Sequence, residues 1–388
     1  MKKDTLLART GRDPSRHQGM VNTPVFRTST VIFPDRETYE ARGGDDYKKV
    51  RYGLTGTPTT FALEEAVAQM EGGHAAVALP SGLAAIVVAL WAFLKTGDHL
   101  LVPDPVYGPT RAFCDRRLKP NGIEVEYYDP LVGAGIGKLL KRNTRAVFCE
   151  APGSLTFEMQ DIPAIASVAH ERGIPVLADT TWGTPYFFRS FEKGVDVSIH
   201  AATKYIAGHS DVVMGVIVTN EQNWLTVRRA VADYGYGVSP DDCYLALRGF
   251  RTIGVRMKQQ MANALKVARW LQSRPQVKRV IYPALEGDPG HALWKRDFTG
   301  AASLFSFVLG AGERQATALV NALDLFGIGS SWGGFESLAI VAPIAPYRTA
   351  TKWEPGGPTI RLHIGLEDPD DLIADLERGF AAMKRVTE

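Results

Sequence analysis

The chain has few cysteines, no long apolar run and almost no net charge, and each absence removes a class of protein. Its three cysteines, Cys114, Cys149 and Cys243, are odd in number and far apart, and no Cys-x-x-Cys pair is present. Neither a disulfide framework nor a zinc site is therefore indicated. Reduced thiols suit a cytoplasmic protein, which is our default expectation.

The lack of a long apolar run and of net charge argues against two further classes of protein, those that span a membrane and those that bind nucleic acid or a membrane surface. The longest apolar run, Leu83 to Leu94, is too short to span a bilayer, and the N-terminus has positive residues but no sustained apolar segment. The 44 basic and 42 acidic residues nearly cancel. Bulk charge therefore disfavours a nucleic acid or a membrane surface as a partner.

What is present is a globular composition with alternating strands and helices. Hydrophobic residues make up 45% and charged residues 22% of 388 positions, enough for two domains. Predicted strands over 99–102, 145–149 and 174–179 alternate with a helix over 162–172 and an apolar helix that begins near Ser81. This alternation predicts an α/β fold with a mostly parallel sheet.

The order of elements changes in the second half of the chain. A long helical stretch is expected over 242–273, and the elements after it suit a smaller α+β domain. Its strands are expected over 277–282, 303–308, 337–341 and 359–364, and its helices over 315–326 and 370–383. We therefore expect an α/β domain over 51–250 and an α+β domain over 251–388. Residues 1–50 show no long period and are interpreted as an extended arm that contacts a neighbouring subunit.

A short β-branched run over 195–199 is followed by the small residues Ala201 and Ala202 and then by Lys204. The space beside this lysine could hold a cofactor. An amine in a dry pocket has a lowered pKa and can form a Schiff base with the aldehyde of pyridoxal phosphate. A lone lysine is more often a surface residue, so the hypothesis depends on partners elsewhere in the chain.

Asp179 is the first of these partners. It is the last residue of a nearly all-apolar strand, where an unpaired carboxylate would be costly. A helix cap or a satisfied loop aspartate explains it equally well in isolation. A carboxylate is, however, the group that keeps a pyridine nitrogen protonated and electron-withdrawing. Lys204 and Asp179 together therefore predict a pyridoxal phosphate site.

Other positions suit the remaining parts of such a site. Ser81, Gly82 and Leu83 form a small-residue turn at a helix start, where free N–H groups can hold a phosphate. Tyr107 lies in a loop at the strand ends where α/β sheets bind ligands, and could stack on a flat ring. Arg361 alternates with apolar neighbours and could clamp a carboxylate. A plain capped helix and a solvated edge-strand arginine are the commoner structural explanations.

Beyond these positions, the chain resembles the cystathionine-metabolising family of pyridoxal phosphate enzymes, and within it the bacterial cystathionine β-lyases. The similarity runs over nearly the whole chain. It is densest over 177–182, 198–211, 291–300, 331–337 and 360–368. The resemblance implies an aspartate-aminotransferase-like large domain (fold type I), a smaller C-terminal α+β domain, and a homotetramer built as a dimer of dimers.

When the motifs of the family are matched to this sequence, the resemblance implies roles for individual residues. Lys204 would be the Schiff-base lysine, Asp179 the pyridinium partner, Tyr107 the ring-stacking tyrosine and Arg361 the α-carboxylate clamp. Lys204, Tyr107 and Asp179 would be the catalytic residues. The phosphate shell would comprise Ser81, Gly82, Leu83 and Thr203 with Tyr52 of the neighbouring subunit, and Ser331 and Trp332 would join the substrate site.

Two positions point to β-lyases within the family, and two depart from it. Ser154 stands where γ-acting members usually carry asparagine, and Trp332 stands where they carry leucine. Leu54, two residues after Tyr52, replaces an arginine that relatives direct at the partner's cofactor phosphate. Its loss removes a charge-assisted bond of roughly 1.5–3 kcal/mol, which should weaken cofactor retention unless another cation substitutes. Thr180, directly after Asp179, stands where asparagine is common in relatives.

The expected activity is β-elimination of an amino-acid thioether. L-Cystathionine would give homocysteine, pyruvate and ammonia, a step of methionine biosynthesis. A cysteine desulfhydrase or a broad cysteine-S-conjugate β-lyase remains an alternative, with amino-acid racemisation as a side activity in view of Leu54. A γ-lyase or γ-synthase fits less well, and intact Lys204, Asp179, Tyr107 and Arg361 oppose a non-catalytic relative.

Overall fold

The computed structural model describes residues 1–43, 47–344 and 347–386. The expected arm over 1–50 and the expected domain over 251–388 thus each include a few positions that lie outside the described residues. The described chain forms a seven-stranded and a five-stranded β-sheet, both covered by helices.

The larger sheet has the strand order β1-β7-β6-β5-β4-β2-β3. Its strands are β1 (Ala75–Leu79), β2 (His99–Pro103), β3 (Glu124–Tyr128), β4 (Thr144–Glu150), β5 (Val176–Asp179), β6 (Val197–His200) and β7 (Gly215–Thr219). Neighbouring strands are parallel except where β7 pairs with β1 and β6. The mostly parallel sheet predicted from the sequence is confirmed.

The helices lie on both faces of this sheet and continue into the second half of the chain. They are α1 (Lys3–Arg9), α2 (Arg36–Glu40), α3 (Pro58–Glu71), α4 (Gly82–Phe93), α5 (Gly108–Phe113), α6 (Ile162–His170), α7 (Thr184–Phe187), α8 (Glu221–Asp233), α9 (Pro240–Arg251), α10 (Ile253–Gln272), α11 (His291–Asp297), α12 (Glu313–Asn321) and α13 (Pro369–Met383). In the described residues, no helix combines the length and apolar character needed to cross a membrane.

Alternate residues of the central strands enter two different cores, which explains why these strands are continuous apolar runs. In β4, Val147 and Cys149 pack in the core that contains α3 and α6. Ala146 and Phe148 pack in the core that contains α4 and α8. The same alternation directs the next residue, Glu150, to the α4 side.

The carboxyl ends of β2, β4, β5 and β6 lie along one edge of the larger sheet. Glu150 and Asp179, the last residues of β4 and β5, are direct partners in the parallel register. His200 ends β6 and leads into the turn that carries Lys204. Ligands of α/β folds bind at such an edge, so the fold brings the predicted residues to a suitable place.

The smaller sheet has the order β10-β11-β12-β9-β8 and is antiparallel apart from the β10–β11 pair. Its strands are β8 (Val277–Ile281), β9 (Leu304–Leu309), β10 (Gly327–Ile328), β11 (Leu338–Val341) and β12 (Thr359–His363). Together with α12 and α13 it forms the α+β arrangement expected for the second half. We propose that the boundary between the two domains lies near residue 250, where α9 meets α10.

Two helices differ from their predicted lengths. The stretch over 242–273 is broken at Thr252, because the N–H and hydroxyl of Thr252 both donate to the Gly249 carbonyl and close α9. The helix expected over 315–326 ends at Asn321. The carboxylate of Asp375 on α13 accepts the N–H groups of residues 324–326, so these cannot continue the helix.

The first ten residues also differ from the expected extended arm. They include α1, whose Leu7 is buried and accepts a hydrogen bond from Arg251 at its carbonyl. The carboxylate of Asp4 accepts a hydrogen bond from the Tyr186 hydroxyl. Farther along, the arm exposes apolar side chains, and Ile32 is 92% exposed.

A buried cluster around Asp104 joins the loop after β2 to the segment after β11. The Asp104 carboxylate accepts hydrogen bonds from Arg111 at 2.6 Å and from the backbone N–H groups of residues 349–351 at 2.9–3.1 Å. Arg348 Nε lies 3.1 Å from the same carboxylate. Burial opposes the charge, yet these hydrogen bonds hold the pKa of Asp104 below its usual value. The cluster therefore fixes the late segment against the sheet edge.

Replacing Asp104 with alanine should lower the free energy of unfolding by roughly 3–5 kcal/mol, because buried Arg111 loses its carboxylate and Arg348 loses one of its two. Urea denaturation of the purified variant measures this change. Glu40→Ala is the matched control, since it breaks only the exposed Arg36–Glu40 ion pair and should leave the midpoint nearly unchanged. Equal midpoints for the two variants would contradict a stabilising role for the cluster.

Candidate active site

A cavity of about 690 Å³ opens at the carboxyl edge of the larger sheet. Ten of the eleven residues predicted for the site line it: Ser81, Gly82, Leu83, Tyr107, Asp179, Thr203, Lys204, Ser331, Trp332 and Arg361. Tyr52, the eleventh, does not line the cavity of its own chain and is 49% exposed. The cavity thus collects residues from both halves of the chain.

Lys204 projects into this cavity from the turn after β6. Its Nζ donates a hydrogen bond to Ser331 Oγ at 2.7 Å and lies 5.3 Å from the centre of the Trp332 ring. Burial lowers the pKa of Lys204, the positive charge of Arg361 acts in the same direction and Asp179 opposes them, and together they bring it to about 8. A substantial fraction of the amine is therefore uncharged in mildly alkaline solution and can act as a base or nucleophile.

The Trp332-Gly333 pair packs directly against the lysine turn. Gly333 has a φ of +87°, and a Cβ atom added there would lie 2.8 Å from the Cα of Lys204. Any larger residue would push the two segments apart. Glycine at this position therefore allows Trp332 to cover the amine.

Asp179 is held by the residue two positions later. Its Oδ1 accepts the backbone N–H of Thr181 at 3.0 Å, and the Thr181 side chain also donates to it. The Thr181 hydroxyl accepts the N–H of Ala201 at 2.9 Å and so links the ends of β5 and β6. Burial raises the pKa of Asp179, whereas Thr181, His200 and Lys204 act to lower it.

Arg361, on β12, brings a guanidinium to the same cavity. Its Nη2 donates to the carbonyls of residues 329–331 at 3.1–3.2 Å. Its Nε is buried and has no hydrogen-bond partner among the described residues. Burial lowers the pKa of Arg361 to about 10, so the group still carries its charge at neutral pH. A charged guanidinium held in a fixed position at the cavity is suited to a carboxylate.

The N-terminus of α4 also lines the cavity. Ser81 caps the helix, since its Oγ accepts the N–H of Ala84 at 3.0 Å. The N–H groups of Gly82 and Leu83, in the first turn, have no acceptor within the helix. A Cβ atom added to Gly82 would lie 2.6 Å from Cβ of Ala201, so glycine is required for this helix start to approach the lysine turn. Such a helix start suits a phosphate.

Thr203 has less hydrogen-bonding capacity than expected. Its hydroxyl donates to the Met214 carbonyl at 3.1 Å and accepts the Met214 N–H at 2.9 Å. A phosphate oxygen would have to compete with Met214 for the hydroxyl proton. Leu54, in the short turn after Tyr52, is 47% exposed in this chain.

The ring of Tyr107 stands at the cavity mouth and is 41% exposed. Its backbone N–H donates to Oε2 of Glu150 at 2.8 Å. Burial raises the pKa of Tyr107, and the nearby carboxylate of Asp179 adds to this effect. The phenol therefore keeps its proton at neutral pH.

Together these groups fit pyridoxal phosphate in charge and position. The amine of Lys204 suits the aldehyde, Asp179 suits the pyridine nitrogen, the ring of Tyr107 offers a stacking face, and the α4 N-terminus suits the phosphate. A family model described as Cys/Met metabolism PLP-dependent enzyme matches residues 4–381. The chain belongs to this family. Its dependence on pyridoxal phosphate, predicted from the sequence, is thereby confirmed.

This chain is similar over nearly its whole length to three relatives in the Cys/Met metabolism family. A protein of Rhizobium johnstonii, provisionally named a cystathionine β-lyase, is 50% identical over 99% of this chain and 97% of its own length. The cystathionine β-lyase MetC of Escherichia coli is 43% identical over 98% of both chains. The L-alanine/L-glutamate racemase of Wolbachia pipientis is 39% identical over 99% of this chain and 98% of its own.

A solved structure extends the comparison to the fold. The crystal structure of metB from Corynebacterium glutamicum matches with a TM-score of 0.90 and 30% sequence identity, covering 98% of each chain. The fold type I architecture with a smaller C-terminal α+β part is therefore confirmed for this member of the family.

Several residues at the cavity were not predicted from the sequence. Thr181 could have been found, because a residue two positions after an aspartate often bonds its side chain. Glu150 ends an apolar strand as Asp179 does, and the same signal applies to it. Arg348 contacts the cavity through partners that are distant in sequence, and no local signal identifies it.

A second group of polar side chains lies at the opposite end of β2. His99, Glu124 and Glu126 could together face a metal ion. The Lys141 ammonium, however, lies 2.7 Å from Glu124 and 2.5 Å from Glu126. This lysine already supplies the positive charge, so we assign the group a structural role.

Lys204→Met should stabilise the cofactor-free protein at pH 7 by about 1–3 kcal/mol, because methionine has no ammonium to desolvate. The folded-state pKa of about 8 lies below the ordinary 10.5. The penalty in the wild type is therefore complete below pH 8 and disappears as the pH rises to the unfolded value. Urea denaturation at pH 7 and near pH 10 should show the advantage of the variant shrinking with pH.

The exposed Lys352 provides the matched control for this experiment. Lys352→Met should show no stabilisation that depends on pH in this way. An advantage of Lys204→Met that is absent at pH 7, or that grows towards pH 10, would contradict a desolvated amine.

Proposed function

We propose that this enzyme is a cystathionine β-lyase, which converts L-cystathionine and water to homocysteine, pyruvate and ammonia. The observation that carries the proposal is the presence of a desolvated lysine amine and a fixed, charged guanidinium in one cavity. This pair suits an amino acid whose α-carboxylate is bound while its Cα proton is removed. Relatives named cystathionine β-lyases support the proposal that the Cβ–S bond of cystathionine is the one cleaved.

Arg361 would bind and orient the substrate carboxylate. Its Nη2 is held by the carbonyls of residues 329–331, so the guanidinium plane is fixed before the substrate arrives. Its charge also disfavours protonation of Lys204. The clamp thus helps to keep the amine in the form that accepts a proton from Cα.

Lys204 would carry that proton between atoms of the substrate. When bound, pyridoxal phosphate supplies the electron sink that makes the Cα–H bond acidic and allows the β-substituent to leave. Asp179, Tyr107 and the N–H groups of Gly82 and Leu83 would hold it. Tyr107 or the protonated Lys204 would then donate a proton to the departing sulfur.

A broad cysteine-S-conjugate β-lyase is the second candidate, and the outer wall of the cavity favours it. Apolar side chains form much of this wall: Leu155, Phe157, Val213, Ile340 and Ile344. The guanidinium of Arg348 also lies there, but it is paired with Asp104 and Glu158. An apolar sulfur substituent would fit this environment without leaving a charge unpaired.

We expect the purified enzyme to release pyruvate and a thiol from cystathionine, and Lys204→Ala to lose this activity. Parallel reactions with cysteine, an S-alkyl cysteine and L-alanine test the alternatives by following pyruvate, thiol and D-alanine. Faster turnover of S-alkyl cysteine would favour the broad lyase, and D-alanine would reveal racemisation. Pyruvate production that survives in Lys204→Ala would exclude the assigned base.

Arg361→Lys should raise the KM for cystathionine by roughly 10- to 100-fold, because a two-pronged guanidinium contact becomes a single ammonium contact. Steady-state kinetics measures this shift, with a smaller change in kcat expected. An amine analogue that lacks the α-carboxylate is the control ligand, and its affinity should hardly change. Equal losses for both ligands would show that Arg361 does not bind the carboxylate.

We further propose a cytoplasmic homotetramer in which each site is completed by a neighbouring subunit. The exposed apolar side chains of the N-terminal arm and the exposed Tyr52 support such a contact. Three buried free cysteines support a reducing compartment.

A further inference from the structure

Glu150 is a buried acid at the site that the reaction described above does not use. It ends β4, is 8% exposed, lines the cavity and is the register partner of Asp179. Residues paired in a parallel sheet direct their side chains to the same face. Two carboxyl groups therefore lie side by side at the strand ends.

The Glu150 side chain connects two loops that border the cavity. Its Oε2 accepts the backbone N–H of Tyr107 at 2.8 Å, and the nearby backbone N–H of Ser154 acts in the same direction to lower its pKa. The same Ser154 N–H lies 2.7 Å from the carbonyl of Pro105. A Cβ atom added to Gly153 would lie 2.6 Å from Cγ of Pro105, so the loops already touch. Glu150 therefore lies beside both the loop that carries Tyr107 and the loop that carries Ser154.

The two neighbouring carboxyl groups have different surroundings. Burial raises the pKa of Asp179, but Thr181, His200 and Lys204 all act to lower it. Burial and the Asp179 charge raise the pKa of Glu150 well above its usual value, and two backbone N–H groups oppose them. Of two adjacent buried carboxyl groups, the one without a cation keeps the proton.

We propose that Glu150 is a positioning residue of this site, which acts as an uncharged carboxylic acid to tie the Tyr107 loop to the Ser154 loop. The inference rests on the functions proposed above for Tyr107 and Asp179. An uncharged Glu150 leaves Asp179 as the negative group available to a pyridine nitrogen. It also fixes the backbone from which the Tyr107 ring projects over the cavity.

Infrared difference spectra of the cofactor-free, full-length enzyme test the protonation state directly. At neutral pH the wild type should show the C=O stretch of a protonated carboxyl that Glu150→Gln lacks. Asp179→Asn is the matched control: it removes the charge that adds to the effect of burial on Glu150, so the band should remain but disappear at a lower pH than in the wild type. If Glu150→Gln keeps the band, or if Asp179→Asn lacks it even in mildly acidic solution, the proton is not on Glu150 and the proposal fails.

Binding of pyridoxal phosphate and circular dichroism of the bound cofactor test the positioning role. Glutamine keeps the acceptor and the shape, so Glu150→Gln should stay within about threefold of the wild type in cofactor Kd and keep the dichroic band. Leucine leaves the Tyr107 N–H without its acceptor, so Glu150→Leu should bind at least about tenfold more weakly and alter the band.

Two results would overturn the positioning role. A loss in Glu150→Gln as large as that in Glu150→Leu would mean that a charged carboxylate is needed, and a leucine variant equal to the wild type would mean that the loops need no tie. If the leucine variant fails to fold, the infrared spectra and the glutamine variant still decide. None of these readouts uses cystathionine, so a failure of the proposed activity would be recognised separately.

Discussion

An amine withheld from water beside a buried arginine is the constraint on which the rest of this site depends. The positive charge of Arg361 makes a positive charge on Lys204 more costly. The structure offsets this cost with the carboxylate of Asp179, the hydroxyl of Ser331 and the face of the Trp332 ring. What remains is an amine that gives up its proton easily, which is the property that the chemistry requires.

The sequence predicted the parts of the site that follow from local rules. Asp179 ends an apolar strand and Tyr107 lies in the loop that follows another, and parallel strands place such positions at one edge. Gly82 follows from the needs of a helix start. Ser331 and Trp332 were assigned through the family resemblance, because no local pattern links them to Lys204, from which Ser331 is separated by 127 positions.

Other features could not be predicted because they depend on contacts between distant segments. The long helix over 242–273 is interrupted by hydrogen bonds from Thr252, and α12 is shortened by the carboxylate of Asp375 from another helix. The hydroxyl of Thr203, which was assigned to the phosphate, is engaged by Met214 eleven positions later. In each case a tertiary partner competes with the local preference.

The Asp104 cluster affects the order in which parts of the protein fold during synthesis. Asp104 emerges from the ribosome long before its backbone partners, which are up to 247 positions later. Until they arrive, its carboxylate and Arg111 remain at an unfinished sheet edge in contact with water. Domains generally fold as units, with the N-terminal one first during synthesis. The larger sheet can therefore form early, whereas the cavity wall closes only when almost the whole polypeptide has been translated, and cofactor capture becomes a late event in biogenesis.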